Sequence, residues 1–216
     1  MRLDSVGHHQ LIQKTIRSVC ERFGVSGRPV QVKLSSKAFK AHAKVNWPPD
    51  PAILTISREL IGDVSALGHE IAHCMIPTEC LLFAEGFATL YEIEQSADCT
   101  EFGFPGLRLD KVLSIHSSIL PSLAELIDET PASRQLFDFE SSYGLEVRLS
   151  YLVSASFVSW VIDRVPEFAV IISNKEARQP REVLLEVLGE SLSELECAWR
   201  ESVLTQSHKA GEKNLA

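Results

Sequence analysis

Leu67-Gly-His-Glu-Ile-Ala-His-Cys-Met75 is the stretch on which the reading of this chain turns. Val64, Leu67, Ile71 and Met75 recur at helical spacing, so the segment reads as a helix with one packed face. Asp63 stands where an N-cap belongs, and Pro77 stands where the helix has to stop. Inside it, His69 and His73 are four residues apart. On a helix that spacing puts both on one face, with Cβ atoms roughly 5–6 Å apart, so two imidazoles can reach one metal ion. Glu70 is one step round the helix from His69 and can approach a water beside that ion. The chain holds only 7 His, and the pattern His-Glu-x-x-His is expected about 0.02 times by chance at this composition. Cys74 follows His73 and points about 100° away from it, so it is not counted as a ligand.

The segments on either side suggest the architecture. Leu11, Ile12, Thr15, Ile16, Val19, Cys20 and Phe23 predict a helix that Gly24 ends. Val30, Val32 and Leu34 alternate with polar residues, as in a half-buried strand. Asn46-Trp-Pro-Pro-Asp-Pro51 breaks the chain, and Ala52 to Ile56 reads as a second short strand. Beyond the central helix, Phe83 to Gln95 reads as helical. From Asp110 onward the pattern is helical, punctuated by Pro121, Pro131, Gly144, Pro166 and Gly189. The expected fold class is therefore α+β and mostly helical, with a small N-terminal β-sheet and a helical C-terminal part. A single domain covers residues 1–205, with 1–62 as the N-terminal helix and strands and 63–205 as the helical part. Residues 206–216 are polar and expected to form a flexible tail.

Composition bounds the function. The 216 residues carry 21 Lys+Arg against 29 Asp+Glu, a formal charge of −8, with 45% hydrophobic and 23% charged residues. That is ordinary for a soluble globular domain and excludes extended disorder. The acidic balance argues against nucleic acid as a partner and against an anionic membrane surface. The five Cys are scattered without a CxxC pair, which suits buried, reduced thiols in a cytoplasmic protein. No signal-peptide pattern is visible at the N-terminus. The longest apolar stretch, Tyr151 to Ile162, is short for a membrane span. His42 lies in a basic run from Lys37 to Lys44 that reads as a solvated face within reach of a substrate. His116 reads as a packed or surface histidine.

His69-Glu70-x-x-His73 is the zinc-protease signature, in which both His bind zinc and the Glu is the general base. A catalytic site of that kind needs a third protein ligand. Phe83-Ala-Glu-Gly-Phe-Ala-Thr-Leu-Tyr-Glu92 resembles the second motif of the gluzincin metallopeptidases, in particular their aminopeptidase-like and peptidase MA-like members. The resemblance implies a zincin-like fold and a zinc cofactor, with Glu85 as third ligand and Gly86 permitting close approach. It further implies that Glu92, seven residues on, orients a ligand His, with Thr89 competing for that role. Tyr151-Leu-Val-Ser-Ala-Ser-Phe-Val-Ser-Trp160 resembles the family segment in which a Tyr donates to the developing oxyanion. That role falls to Tyr151, with Tyr143 as the alternative.

The chain also departs from the family pattern. His73 and Glu85 are only twelve positions apart. Leu82, Phe83 and Ala84 replace the usual Trp and Asn before the ligand Glu. No Gly-x-Met-Glu-Asn segment precedes His69, so no aminopeptidase is inferred. The implied activity is peptide-bond hydrolysis by a zinc-activated water with Glu70 as base, on a peptide or protein substrate. The strand Ala52–Ile56 is expected to offer an edge to that substrate. A zinc hydrolase of a non-peptide substrate and a non-catalytic interaction protein with the same fold are the alternatives. The presence of Glu70 disfavours the second, because a binding module needs no general base.

Overall fold

A computed structural model describes residues 5–37, 41–44, 47–128, 130–138, 144–174 and 179–213. The elements follow in the order α1 (Ser5–Phe23), β1 (Val30–Leu34), β2 (Ala41–Lys44), β3 (Ala52–Ile56), α2 (Arg58–Ile61), α3 (Val64–Met75) and α4 (Leu81–Ser96). The second half is α5 (Leu109–Ile115), α6 (Leu123–Ile127), α7 (Pro131–Gln135), α8 (Leu145–Arg164), α9 (Phe168–Ser173), α10 (Pro180–Leu188) and α11 (Leu192–Lys213). The fold is α+β and mostly helical, with one small three-stranded sheet.

The central helix forms for local reasons. The Asp63 carboxylate accepts from the backbone N–H of Ser65 at 3.0 Å and of Ala66 at 3.2 Å, satisfying donors that the first turn leaves free. Leu67, Ile71 and Met75 are buried, and Val64, in the first turn, is 42% exposed. The helix stops at Met75, two residues before Pro77. α4 packs against α3 on one side and α8 on the other. Glycines set both distances. A Cβ on Gly86 would sit 2.6 Å from Val158 Cγ2 and 2.8 Å from the Ser154 carbonyl oxygen of α8. A Cβ on Gly68 would collide with the Tyr91 ring of α4. Tyr91 is pinned in turn, its hydroxyl donating to Ser18 Oγ of α1 at 2.9 Å.

The sheet order is β1-β3-β2, with β1 parallel and β2 antiparallel to β3. β3 is therefore the central strand, and Ala52, Leu54 and Ile56 are fully buried. It offers no edge, contrary to the sequence expectation. Its apolar alternation marks a strand packed on α3, while β2, unread in the sequence, takes the edge position. β1 is the other edge, and Val32 and Leu34 are exposed rather than half-buried. Alternation shows that a segment is extended, not that a layer covers it.

Two more expectations are corrected, and residues 206–213 carry the backbone of α11. Cys197 is exposed, and the five Cys are all free. α8 begins at Leu145, so it is longer than its densest apolar stretch. Among the described residues it is the one helix long and apolar enough to cross a membrane by length and composition, with 61% of the relevant window buried within the protein.

Gly86→Ala tests the α4–α8 contact. At an exposed helical site the change would gain about 1 kcal/mol in helix propensity. Here the collision with Ser154 and Val158 is expected to dominate, with a loss of about 1–3 kcal/mol in urea unfolding. An unchanged or raised midpoint would show that the two helices are not in close contact at this point.

Candidate metal centre

α3 presents His69 and His73 one turn apart, and α4 lies alongside with Glu85 facing them. Their donor atoms form a nearly equilateral triangle. His69 Nε2 lies 3.2 Å from His73 Nε2 and 3.4 Å from Glu85 Oε2, and His73 Nε2 lies 3.6 Å from the same oxygen. Ligand atoms around a tetrahedral zinc with bonds of roughly 2.0–2.1 Å are about 3.3 Å apart. The triangle has that size.

The donor chemistry points the same way. His69 Nδ1 lies 2.8 Å from Glu92 Oε2. An ionised carboxylate only accepts, so Nδ1 carries the proton, and a neutral His69 presents a bare lone pair at Nε2. That lone pair faces the Glu85 carboxylate, which is also an acceptor. Acceptors this close need a proton or a metal cation between them: an N–H from His73 Nε2, a proton on His69 Nε2, or a bound ion. Without metal the proton serves. Burial disfavours a charge on His69, but hydrogen bonds to Glu85 and Glu92 outweigh it and hold its pKa well above the ordinary value. Burial likewise pushes the Glu85 carboxyl up, and the neighbouring His73 and His69 more than reverse this, holding it well below the usual range. A zinc ion bound here would replace the proton, because a ligand His must be neutral.

Of the two residues expected to orient a ligand His, Glu92 reaches His69. Thr89 does not, and its buried hydroxyl has no hydrogen-bond partner. Cys74 is buried away from the triangle. Burial first, then the charge of Glu70, opposed by Arg28, push its thiol up to about 12, so it is no thiolate ligand at neutral pH. The His116 ring lies tilted against Phe104, with ring centroids 5.5 Å apart.

The triangle opens into a cleft of about 640 Å³ that Glu70 also lines. Ala41, His42 and Ala43 of β2 form one wall. Glu101 and Phe102 form another, in a short 3-10 turn (Thr100–Phe102) held by Asp98. The Asp98 carboxylate accepts from the N–H of Thr100 and of Gly106, each at 2.9 Å, and Cys99 and Phe104 form an antiparallel bridge. Arg148 of α8 donates to the Phe102 carbonyl at 3.3 Å. Phe137 and Asp138 complete the lining.

Tyr151 also lines the cleft, in the second turn of α8, and is 8% exposed. Its hydroxyl donates to the Phe137 carbonyl at 2.8 Å. The ring packs edge-on to Phe137 at 5.4 Å and lies 6.1 Å from Phe102. In this conformation Tyr151 fastens the two aromatic walls. Burial, then the charges of Glu85, Glu70, Asp138 and Glu92, raise its pKa well above the ordinary phenol value. Tyr143, the alternative, lies outside the described residues.

No family model matches the chain, and no curated protein or solved structure matches it. Sequence reasoning missed Glu101, Phe102, Phe137 and Asp138. The Gly and Pro punctuation at Gly103-Phe-Pro-Gly106 marks a loop, but nothing local says that it folds back over the two helices.

Metal analysis checks the site. Wild type loaded with zinc is expected to hold one equivalent, and His69→Ala or Glu85→Ala to hold none. Glu92→Gln is expected to weaken zinc binding about 10–100-fold in chelator competition. Cys74→Ala is expected to leave the stoichiometry unchanged. Full zinc retention in His69→Ala would refute the assignment.

Proposed function

We propose that the chain is a zinc-dependent metallopeptidase of the gluzincin kind, acting on a peptide or protein substrate. One observation carries this reading: the His69, His73 and Glu85 donor atoms converge at tetrahedral spacing on a cleft that Glu70 shares. Zinc held by those three residues would supply a Lewis acid, able to polarise a carbonyl and to bring the pKa of water near 7. Glu70 takes the proton of the attacking water and returns it to the leaving amine. Glu92 holds the Nδ1 proton of His69, so that Nε2 stays a lone-pair donor aimed into the site. Among the described residues β2 pairs only with β3, so its other edge can pair with an extended peptide and lay it across the cleft.

Tyr151 has a narrower place in this mechanism than its motif implies. A hydroxyl has one proton to donate, and here it goes to Phe137. Oxyanion donation requires that bond to break first.

Two substitutions divide these roles. Glu70→Gln is expected to keep its zinc and lose about 10²–10⁴-fold in peptide cleavage. Turnover equal to wild type on a broad peptide library would sink the peptidase mechanism. Tyr151→Phe is expected to cost about 0.5–1.5 kcal/mol of stability through the lost Phe137 bond, with kcat changed only a few-fold. A fall of about 10²–10³ in kcat at unchanged stability would instead make the hydroxyl the oxyanion donor.

A further inference from the structure

The cleft does not end at its own walls. Asp138 lines it beside Phe137, and Asp138 also lines a second groove of about 860 Å³. Ala124 of α6, Ala132 of α7 and Leu136 line that groove from one side, and Val147 lines it from α8. Tyr151, which lines the cleft, follows Val147 by four residues on the same helix. One face of α8 therefore runs under both. The step along the helix from Tyr151 to Val147 is about 6 Å, which an extended chain covers in about two residues.

The groove has a fixed wall. The turn between α6 and α7 lines it through Asp128, Thr130 and Ser133. Thr130 Oγ1 accepts from the Ser133 N–H at 3.1 Å, and the buried Ser133 hydroxyl donates to the Thr130 carbonyl at 2.8 Å. Arg181 of α10 donates to both carboxylate oxygens of Asp128 at 2.9–3.0 Å. A surface held in this way needs little rearrangement to receive a ligand.

Resting on the peptidase reading, we propose that this groove continues the cleft and holds the substrate chain on one side of the scissile bond. Its ligand is an extended polypeptide, because the chain laid along β2 reaches Asp138 and has the groove ahead of it. Ala124 and Ala132 leave room for substrate side chains over Leu136 and Val147. A cleft that trims single terminal residues is closed where the substrate ends, whereas this one opens into further space. The protein therefore cuts within polypeptides and uses contacts remote from the bond to hold them.

The test measures binding apart from turnover. Zinc-loaded Glu70→Gln protein is titrated, by fluorescence anisotropy, into labelled peptides with blocked termini. A peptide of about five residues is compared with versions extended to about ten at its N-terminal or its C-terminal end. Extension at one end is expected to tighten binding about tenfold or more, and extension at the other to change it little. Adding Ala124→Trp and Ala132→Trp, which fill the groove, is expected to erase that gain. Gln13→Trp, an equal addition on α1 away from the groove, is expected to preserve it. Zinc content and the unfolding midpoint show that each variant is folded. Equal affinities at every length, a gain that survives the groove tryptophans, or no binding of any peptide would overturn the proposal. Wild-type cleavage of the same peptides reads the parent function separately. Internal cuts in the extended peptides support both readings, and cleavage confined to peptides with a free terminus would overturn the groove's role. Length-dependent binding that the groove tryptophans erase, without cleavage of any peptide, would refute the peptidase and uphold the groove as a polypeptide site.

Discussion

The packing of α3 against α4 sets what the site can do, and its most telling bond is that between His69 Nδ1 and Glu92 Oε2 at 2.8 Å. It fixes which nitrogen of His69 carries the proton. That in turn leaves Nε2 as a lone pair facing Nε2 of His73 and the carboxylate of Glu85. Groups gathered at 3.2–3.6 Å in this way need a proton or a metal cation among them. The helix pair thus brings together groups that a proton satisfies, or that a metal ion would satisfy in its place.

Holding such a cluster half-buried is costly, so the surrounding structure has to over-determine it. It does so by close helix contacts beside His69 and Glu85. Gly68, immediately before His69, meets the ring of Tyr91, immediately before Glu92. Tyr91 is tied to Ser18 of α1, and Gly86, immediately after Glu85, lies against the backbone of α8. Both helices are therefore held next to His69 and Glu85 by contacts too close to admit a Cβ at Gly68 or Gly86. α8 contributes at longer range, since Arg148 and Tyr151 hold the carbonyls of Phe102 and Phe137 and so shape the cleft.

What was legible in the sequence was what is local. His69 and His73 share a helical turn, so their spacing alone brings them together. Asp63 caps α3 through neighbouring N–H groups. Glu85 and Glu92 lie two turns apart on one helix, which is why periodicity could suggest a shared face. The rest is tertiary. β2, Ala41-His-Ala-Lys44, has no β-branched or aromatic residue of the strand-forming kind and looks like part of a basic run, so nothing in it announces a strand. β3 reads as a strand, but only pairing shows that it is central. The choice of Glu92 over Thr89, and the commitment of the Tyr151 hydroxyl to Phe137, depend on where α8 and the Phe137 segment settle. Glu101 and Asp138 meet at the cleft only because two separate loops fold over the same helices.

X-ray absorption at the zinc edge of the zinc-loaded protein tests the centre most directly. Nitrogen and oxygen ligands only are expected, at roughly 2.0–2.1 Å, with the outer-sphere scattering of two imidazoles. A sulfur ligand near 2.3 Å, or a spectrum of hydrated zinc without imidazole, would contradict a site built from His69, His73 and Glu85.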